Sequence, residues 1–372
     1  MSSSLLALVM ILKDEGETIA RTIESCRDHV DRIVILDTGS TDNTVDEVVR
    51  SCNGVRCEIY VEPFIDFATT RNRALELAGK DCIFHFMLSG GERLINGENL
   101  RKFCERNREL HGVDGKPNGG AYLCSVRLGD NLYDSARLSR SEAAWTYRGV
   151  THELLLAPDG GFTDEKIPDV LIVHEKDSST EKQRKRWELD ASLLFAELQK
   201  NPADSRSCYY LAQSHECLGN HEKAYKYYVK RSGLGGWDEE IFLSKLRSFK
   251  IGLKQLQRSN SEFVLGMMEL YDSFPHRAET LYELAWFYHD RKKDNIAHAL
   301  AKASARIPLP KKVSLAIEYS VYSWRVHDLV ARTCGEDAET GYRAAKIAFS
   351  RNPENEWLKN NLANLTSRLR PE

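Results

Sequence analysis

No two cysteines of this chain stand at C-x-x-C spacing, although nine are present, at 26, 52, 57, 82, 104, 124, 208, 217 and 334. A cysteine-ligated zinc site is therefore not expected, and an odd number of scattered thiols suits a reducing compartment. Long hydrophobic runs are also missing. The longest apolar stretch, LLALVMIL at 5–12, falls short of the roughly 20 residues a transmembrane helix needs and has no small-residue cleavage site behind it. A cytoplasmic chain without a membrane span is the expectation. Neither sign of charge is in excess, with Lys plus Arg at 52 and Asp plus Glu at 55, so there is no global basic field for nucleic acid or an anionic membrane. No G-x-G-x-x-G follows the first apolar run, which removes the glycine-rich dinucleotide site.

The stretch LSGGE at 88–92 coincides with a signature of ATP-binding cassette ATPases. That signature works only beside a phosphate-cradling G-x-x-x-x-G-K-[ST] loop. Gly79-Lys80 is followed by Asp81 and Gly115-Lys116 by Pro117, and neither glycine has another five residues upstream. An ATPase of that type is excluded, and the stretch needs another explanation.

At 372 residues the chain is longer than one hydrophobic core usually grows, so two domains are expected. Up to about residue 175, strand-like runs (5–12, 31–37, 57–62 and 82–88) alternate with helical patterns. Ile19, Ile23, Cys26 and Val30 recur at helical steps, and NTVDEVVRSC and FATTRNRALELAG supply two further helices. This βαβαβαβ order predicts an α/β domain with a mostly parallel sheet flanked by helices. Beyond KDSSTEKQRKR the strand pattern stops. Ser178 and Glu181 form a capping-box pattern ahead of a long helix. Pro202, Leu211, Ala212 and Ala224 return at the same internal spacing as Pro275, Leu284, Ala285 and Ala297, and Pro353 closes a similar helix. The offsets approximate two units of the tetratricopeptide length, roughly 34 residues. Residues 179–372 are therefore expected to form an all-α tetratricopeptide-like repeat domain without strands, after an α/β domain spanning 1–178. Asp238, Glu239 and Glu240 read as a helix start stabilised by its dipole, and most repeat aromatics read as core.

Open α/β sheets bind ligands outside the carboxyl ends of their strands. Three segments sit there: TGSTDNT after the second strand, VEPFIDFATTRN after the third and LSGGERL after the fourth. Asp37, at the second strand tip, could accept from a nucleobase imide or a ribose hydroxyl. Asp42 fits either a ligand contact or a cap for the next helix.

The succession MILKDEGETIARTIESC, VILDTGSTDNT, FIDFATTRNRALELAGKD and GVTHELLL resembles the family 2 glycosyltransferases of the GT-A fold. Within that family the chain looks like the branch with a tetratricopeptide-like C-terminal extension. The resemblance implies transfer of a sugar from a nucleoside diphosphate sugar, usually UDP-linked, with Mn²⁺ or Mg²⁺, to a glycan or protein acceptor. By motif matching it puts Lys13, Glu15, Asp37 and Arg71 in the nucleotide pocket, beside Asp42. The family's Asp-x-Asp motif falls on Ser89, Gly90, Gly91 and Glu92, so both aspartates are missing and Glu92 is left as the candidate metal ligand. The two glycines would leave the backbone open to the diphosphate. His152 in THE and His174 in VHE are the further candidate ligands, since imidazole suits Mn²⁺. An inverting displacement needs a general base, for which Glu153 and Asp134 both qualify. Arg137 and Arg140 either meet the diphosphate or face solvent. A catalytically decayed domain serving with the repeats as a scaffold is the competing expectation.

Overall fold

The computed structural model describes residues 4–109, 120–163, 165–174, 180–310 and 315–369. Apolar residues at nearly every position bury β1 (Ser4–Leu12) and β2 (Arg32–Asp37) on both faces, as expected for central parallel strands. With β3 (Arg56–Val61) and β4 (Cys82–Ser89) they form the parallel run β3-β2-β1-β4. The crossovers carry α1 (Ile19–Glu24), α2 (Thr44–Cys52) and α3 (Phe67–Ala78). The stripe from Ile19 to Val30 does not stay in one helix: α1 ends at Glu24, and Arg27–His29 is a 3₁₀ turn. Cys26 and Val30 are buried all the same.

Beyond β4 the sheet becomes mixed. It adds β5 (Glu92–Ile95), β6 (Ala121–Leu128), β7 (Asn131–Arg140) and β10 (Lys166–His174), while β8 (Thr146–Arg148) and β9 (Leu154–Leu156) pair separately. The order is β3-β2-β1-β4-β7-β6-β10-β5, with β7 antiparallel to β4 and β6, and β5 antiparallel to β10. Because side chains alternate along a strand, the sheet builds two cores. Leu6, Leu8, Met10, Ile33, Ile35, Phe84 and Phe86 meet Ile19, Ile23 and Leu100 of α4 (Gly97–Arg106). Ala7, Val9, Val34, Leu36 and Met87 on the other face meet Ala74 and Ala78 of α3, Trp145 and Tyr147.

The chain divides into two compact units, 1–200 and 201–372. Helix α5 (Thr180–Lys200) counts with the first, although the sequence put it in the second domain. Its expected cap, Ser178, lies outside the described residues. The second unit holds α6 (Ser205–Cys217), α7 (His221–Ser232), α8 (Asp238–Lys254), α9 (Asn260–Ser273), α10 (Glu279–Asp290), α11 (Asp294–Ser304), α12 (Val326–Arg332), α13 (Ala338–Arg351) and α14 (Glu356–Leu369). Successive helices pack on one another. The repeated Leu211, Ala212, Ala224, Leu284, Ala285 and Ala297 are all fully buried, since small side chains let paired helices approach. The absence of strands fails at one place: Ile317–Glu318 is extended, followed by the π-helical Val321–Arg325. Asp238, Glu239 and Glu240 do open a helix, and two of them also form ion pairs. Glu240 meets Arg231 at 2.9 Å and Glu239 meets Arg277 at 2.8 Å.

Candidate functional site

Asp37 and Ser89 end the two strands that flank β1 in one parallel run: Asp37 lies opposite Leu12 of β1, and Ser89 opposite Ile11. The loops beyond β1 and β2 are stitched together by side chains. Asp14, in the left-handed region at φ 53, accepts from the Thr41 amide at 2.7 Å and donates its own amide to Ser40 Oγ at 2.9 Å. The Glu15 amide donates to Thr44 Oγ1 at 2.7 Å. Asp37 is 2% exposed and accepts from the Gly39 and Ser40 amides, both at 2.9 Å, and from the Ser40 hydroxyl. Asp42 accepts from the Thr44 amide and the Gly16 amide, both at 3.0 Å. Burial pushes the Asp42 carboxyl up, but these bonds with Thr44 and Gly16 hold it below the usual carboxylate range. Both aspartates thus hold the loops in shape; the N-cap of α2 is Asn43, which makes no side-chain cap bond, and Asp42 meets the Thr44 amide from the position before it. Lys13 is exposed.

Ser89, Gly90, Gly91 and Glu92 turn the chain from β4 into β5. Gly91 has φ 75, a conformation glycine takes without strain. Above Gly90 the backbone is not open to a diphosphate: a Cβ there would lie 2.5 Å from Cγ and Cδ of Glu15. The side chain of Glu15 fills the space expected to be free.

Glu92 is 2% exposed and accepts from Arg137 Nη2 at 2.7 Å, Arg137 Nη1 at 3.1 Å and the Ser89 amide at 2.8 Å. Burial alone would raise its pKa; Arg137, His174, the Ser89 amide and Arg71 together bring it below the ordinary value. The fork comes from an irregularity in β7. Tyr122 pairs with Leu138 but Leu123 with Ala136, so Arg137 is an extra residue opposite that step. Such bulges re-aim a side chain. Arg140 goes elsewhere, donating to the carbonyls of Asn107 and Arg108 at 2.7 and 3.0 Å.

Arg71, in α3, donates from Nη2 to Ser89 Oγ at 3.1 Å and pairs through Nε with Glu153. Its guanidinium carbon lies 5.5 Å from the Tyr147 ring centroid. Asn72 fixes this arrangement by bonding both ways with the Tyr147 backbone, at 2.9 and 2.7 Å. Burial raises the Glu153 pKa, but Arg71, a backbone amide, His152 and Arg137 lower it below the usual range. Glu153 is therefore an ionised carboxylate in an arginine's grip.

The structure brings Glu15, Arg71, Ser89, Glu92, Arg137 and Glu153 to the end of β4. His174 lies opposite Glu92 in the β10–β5 ladder; burial pushes its pKa down, helped by Arg186 and Arg137 against Glu92 and Glu15. Asp134 stands apart, held by Lys166 Nζ at 2.7 Å and Ser125 Oγ at 3.1 Å. His152, at φ 50, lies 4.0 Å from Asp190 of α5, which also accepts from Thr151 Oγ1 at 2.9 Å. Among the described residues no three His, Cys, Asp or Glu side chains gather in a way that could hold a metal ion. Glu92, His152 and His174 do not fit that task together: both oxygens of Glu92 already carry a guanidinium, and His152 sits against a different carboxylate. Sequence reasoning missed the Arg137 fork, the Tyr147 platform and Asp190. A bulge leaves no sequence signal, and α5 was assigned to another domain.

Residues 7–87, spanning most of β1 to most of β4, match the family described as Glycosyl transferase family 2. Within the first unit, that segment is similar to a family 2 glycosyltransferase domain. The SPbeta prophage-derived glycosyltransferase SunS of Bacillus subtilis is 23% identical over 223 residues, 59% of this chain and 51% of that protein. A TPR repeat-containing protein of Synechococcus elongatus is 35% identical over 89 residues, 24% of this chain and 21% of that one. This chain thus spans about half or less of the length of these curated relatives. Among solved structures, S. aureus TarS 1–349 in complex with UDP-GlcNAc covers 73% of this chain and 91% of its own, at 11% identity and TM-score 0.37. A thermophilic TPR protein in Thermus thermophilus covers 50% of this chain and 93% of its own, at 12% identity and TM-score 0.35. No helix among the described residues is long and apolar enough to cross a membrane.

Proposed function

We propose that this protein transfers a sugar from a nucleoside diphosphate sugar, UDP-linked by preference, to a hydroxyl of a glycan or protein acceptor, with inversion at the anomeric carbon. The observation that carries the reading is the family 2 match over 7–87, the segment whose strand and helix ends present Asp37 and Arg71. Residues 1–178 are the catalytic domain in this reading, with α5 packed on it through Asp190, and the helices that follow select the acceptor. Lys13, Glu15, Asp37 and Arg71 line the nucleotide side, and Asp42 holds its loop.

Glu153 is the better of the two candidate bases. Ionised and beside Arg71, it takes the acceptor hydroxyl proton as that oxygen bonds to the anomeric carbon, while the bond from that carbon to the diphosphate breaks and its electron pair leaves with the phosphate oxygen. Asp134 is engaged by Lys166 instead. A divalent ion, Mn²⁺ or Mg²⁺, is what the family resemblance implies; the Glu92–Arg137 pair does not favour one here. The same pair is the feature that supports the second reading, a decayed domain acting as a scaffold.

The deciding experiment is a screen of UDP-, GDP- and dTDP-sugars for thermal stabilisation and hydrolysis. One donor should stabilise the protein, and Asp37→Ala and Arg71→Ala should each weaken its binding by about 2 kcal/mol, more than tenfold in affinity. No response to any donor would favour the scaffold.

A further inference from the structure

The end of β4 is where a family 2 domain would be expected to hold a cation for the diphosphate, and here the positive charge at that place belongs to side chains. Two guanidinium groups bracket the turn. Arg137 enters from the β7 bulge and forms a fork with Glu92, whose two oxygens take three N–H donors between them. Arg71 enters from α3 and rests on Ser89, the residue at the first position of the turn. A Mg²⁺-like cation completes an octahedral oxygen shell with water and substrate phosphates but still takes one or two carboxylates from the protein. At this turn it would find glycine at two positions, the Glu15 side chain across Gly90, and a carboxylate that must first release a guanidinium. Separating a buried ion pair leaves two uncompensated charges, a cost that counts directly against metal binding at this carboxylate. Arg71 differs from Arg137: among the described residues its Nη1 carries no hydrogen bond, and its side chain keeps 12% of its surface exposed.

Resting on the glycosyltransferase reading, we propose that this site binds the donor's diphosphate without a divalent cation, with Arg71 as the phosphate-binding group and the Glu92–Arg137 pair as a positioning element that closes the position a metal would take. A planar guanidinium with free donors suits phosphate oxygens in a bidentate contact. The pairing of Arg71 with Glu153 adds a timing feature. When Glu153 takes the acceptor proton it becomes neutral, so Arg71 loses its counter-ion as negative charge appears on the departing diphosphate. Arg71 then stabilises the transition state more than the ground state, which is what accelerates a reaction.

The test is calorimetric titration of the full chain with UDP, GDP and dTDP, each in excess EDTA and in saturating Mn²⁺. The proposal expects at least one of these nucleotides to bind with the same affinity, within about twofold, under both conditions. Arg71→Ala should lose about tenfold or more with EDTA present, and Arg71→Lys, which keeps the charge without the fork, should lose less. Urea midpoints of the variants, measured in parallel, separate lost binding from lost folding. Affinity at least tenfold tighter in Mn²⁺ than in EDTA, or Arg71→Ala binding like the wild type while folded, overturns the inference and leaves the glycosyltransferase reading in place. If no nucleoside diphosphate binds under either condition, that reading fails and takes the inference with it.

Discussion

Glu92 and Arg137 form a two-pronged ion pair at 2.7 and 3.1 Å, with the carboxylate 2% exposed and the guanidinium side chain 11% exposed. Neither charge has much water to fall back on, so removing one partner strands the other. Arg137→Met should therefore destabilise the first unit by about 3–5 kcal/mol, and adding Glu92→Gln should recover part of that loss. Urea denaturation of the wild type, both single variants and the double variant measures it. The pair also contributes to acid sensitivity. Because the folded carboxyl titrates below its unfolded value, its contribution is complete above the unfolded pKa and disappears as pH falls through the folded one.

Gly90 and Gly91 make separable predictions at the same turn. A methyl on Gly90 would collide with the end of the Glu15 side chain, which can swing away, so Gly90→Ala should cost little stability, about 1 kcal/mol or less. Displacing Glu15 should nevertheless weaken nucleotide binding severalfold if Glu15 lines the pocket. Gly91→Asp meets a different obstacle. At φ 75 a side chain is strained, and a loss of about 1 kcal/mol is expected. Thermal melts with and without nucleotide distinguish the two effects.

His85 sets a pH limit of its own. It is 4% exposed in the middle of β4, its Nε2 has no hydrogen-bond partner among the described residues, and burial pushes its pKa down from 6.5 to about 4. Between these values the unfolded chain takes up a proton that the folded chain refuses, so stability falls as pH drops from about 6.5 to about 4 and this loss levels off below. The full effect is of the order of 3 kcal/mol. His85→Gln should flatten that part of the profile of urea midpoint against pH, whatever it does to stability at pH 7. An unchanged slope would place the acid sensitivity elsewhere.

Periodicity alone determined the succession of β1 to β4 with helices between them and the helical character of the second unit. Buried parallel strands must be apolar throughout, and paired helices must repeat small residues where they touch. LLALVMIL and the matched Leu-Ala pairs satisfy these conditions locally, so they could be read one segment at a time. The order of strand tips likewise put Asp37, Arg71 and Glu92 at one edge of the sheet. Tertiary structure decided what those residues do there. Arg137 reaches Glu92 because β7 slips by one residue against β6, Glu15 covers Gly90 because two loops are tied by Asp14 and Asp42, and Glu153 meets Arg71 because Asn72 docks α3 on Tyr147. Each of these joins residues far apart in the chain through hydrogen bonds and charge, which have no sequence period. A carboxylate left over from a metal motif and a carboxylate held in an arginine fork look alike as letters. Only the fold, by burying Glu92 beside Arg137, separates them.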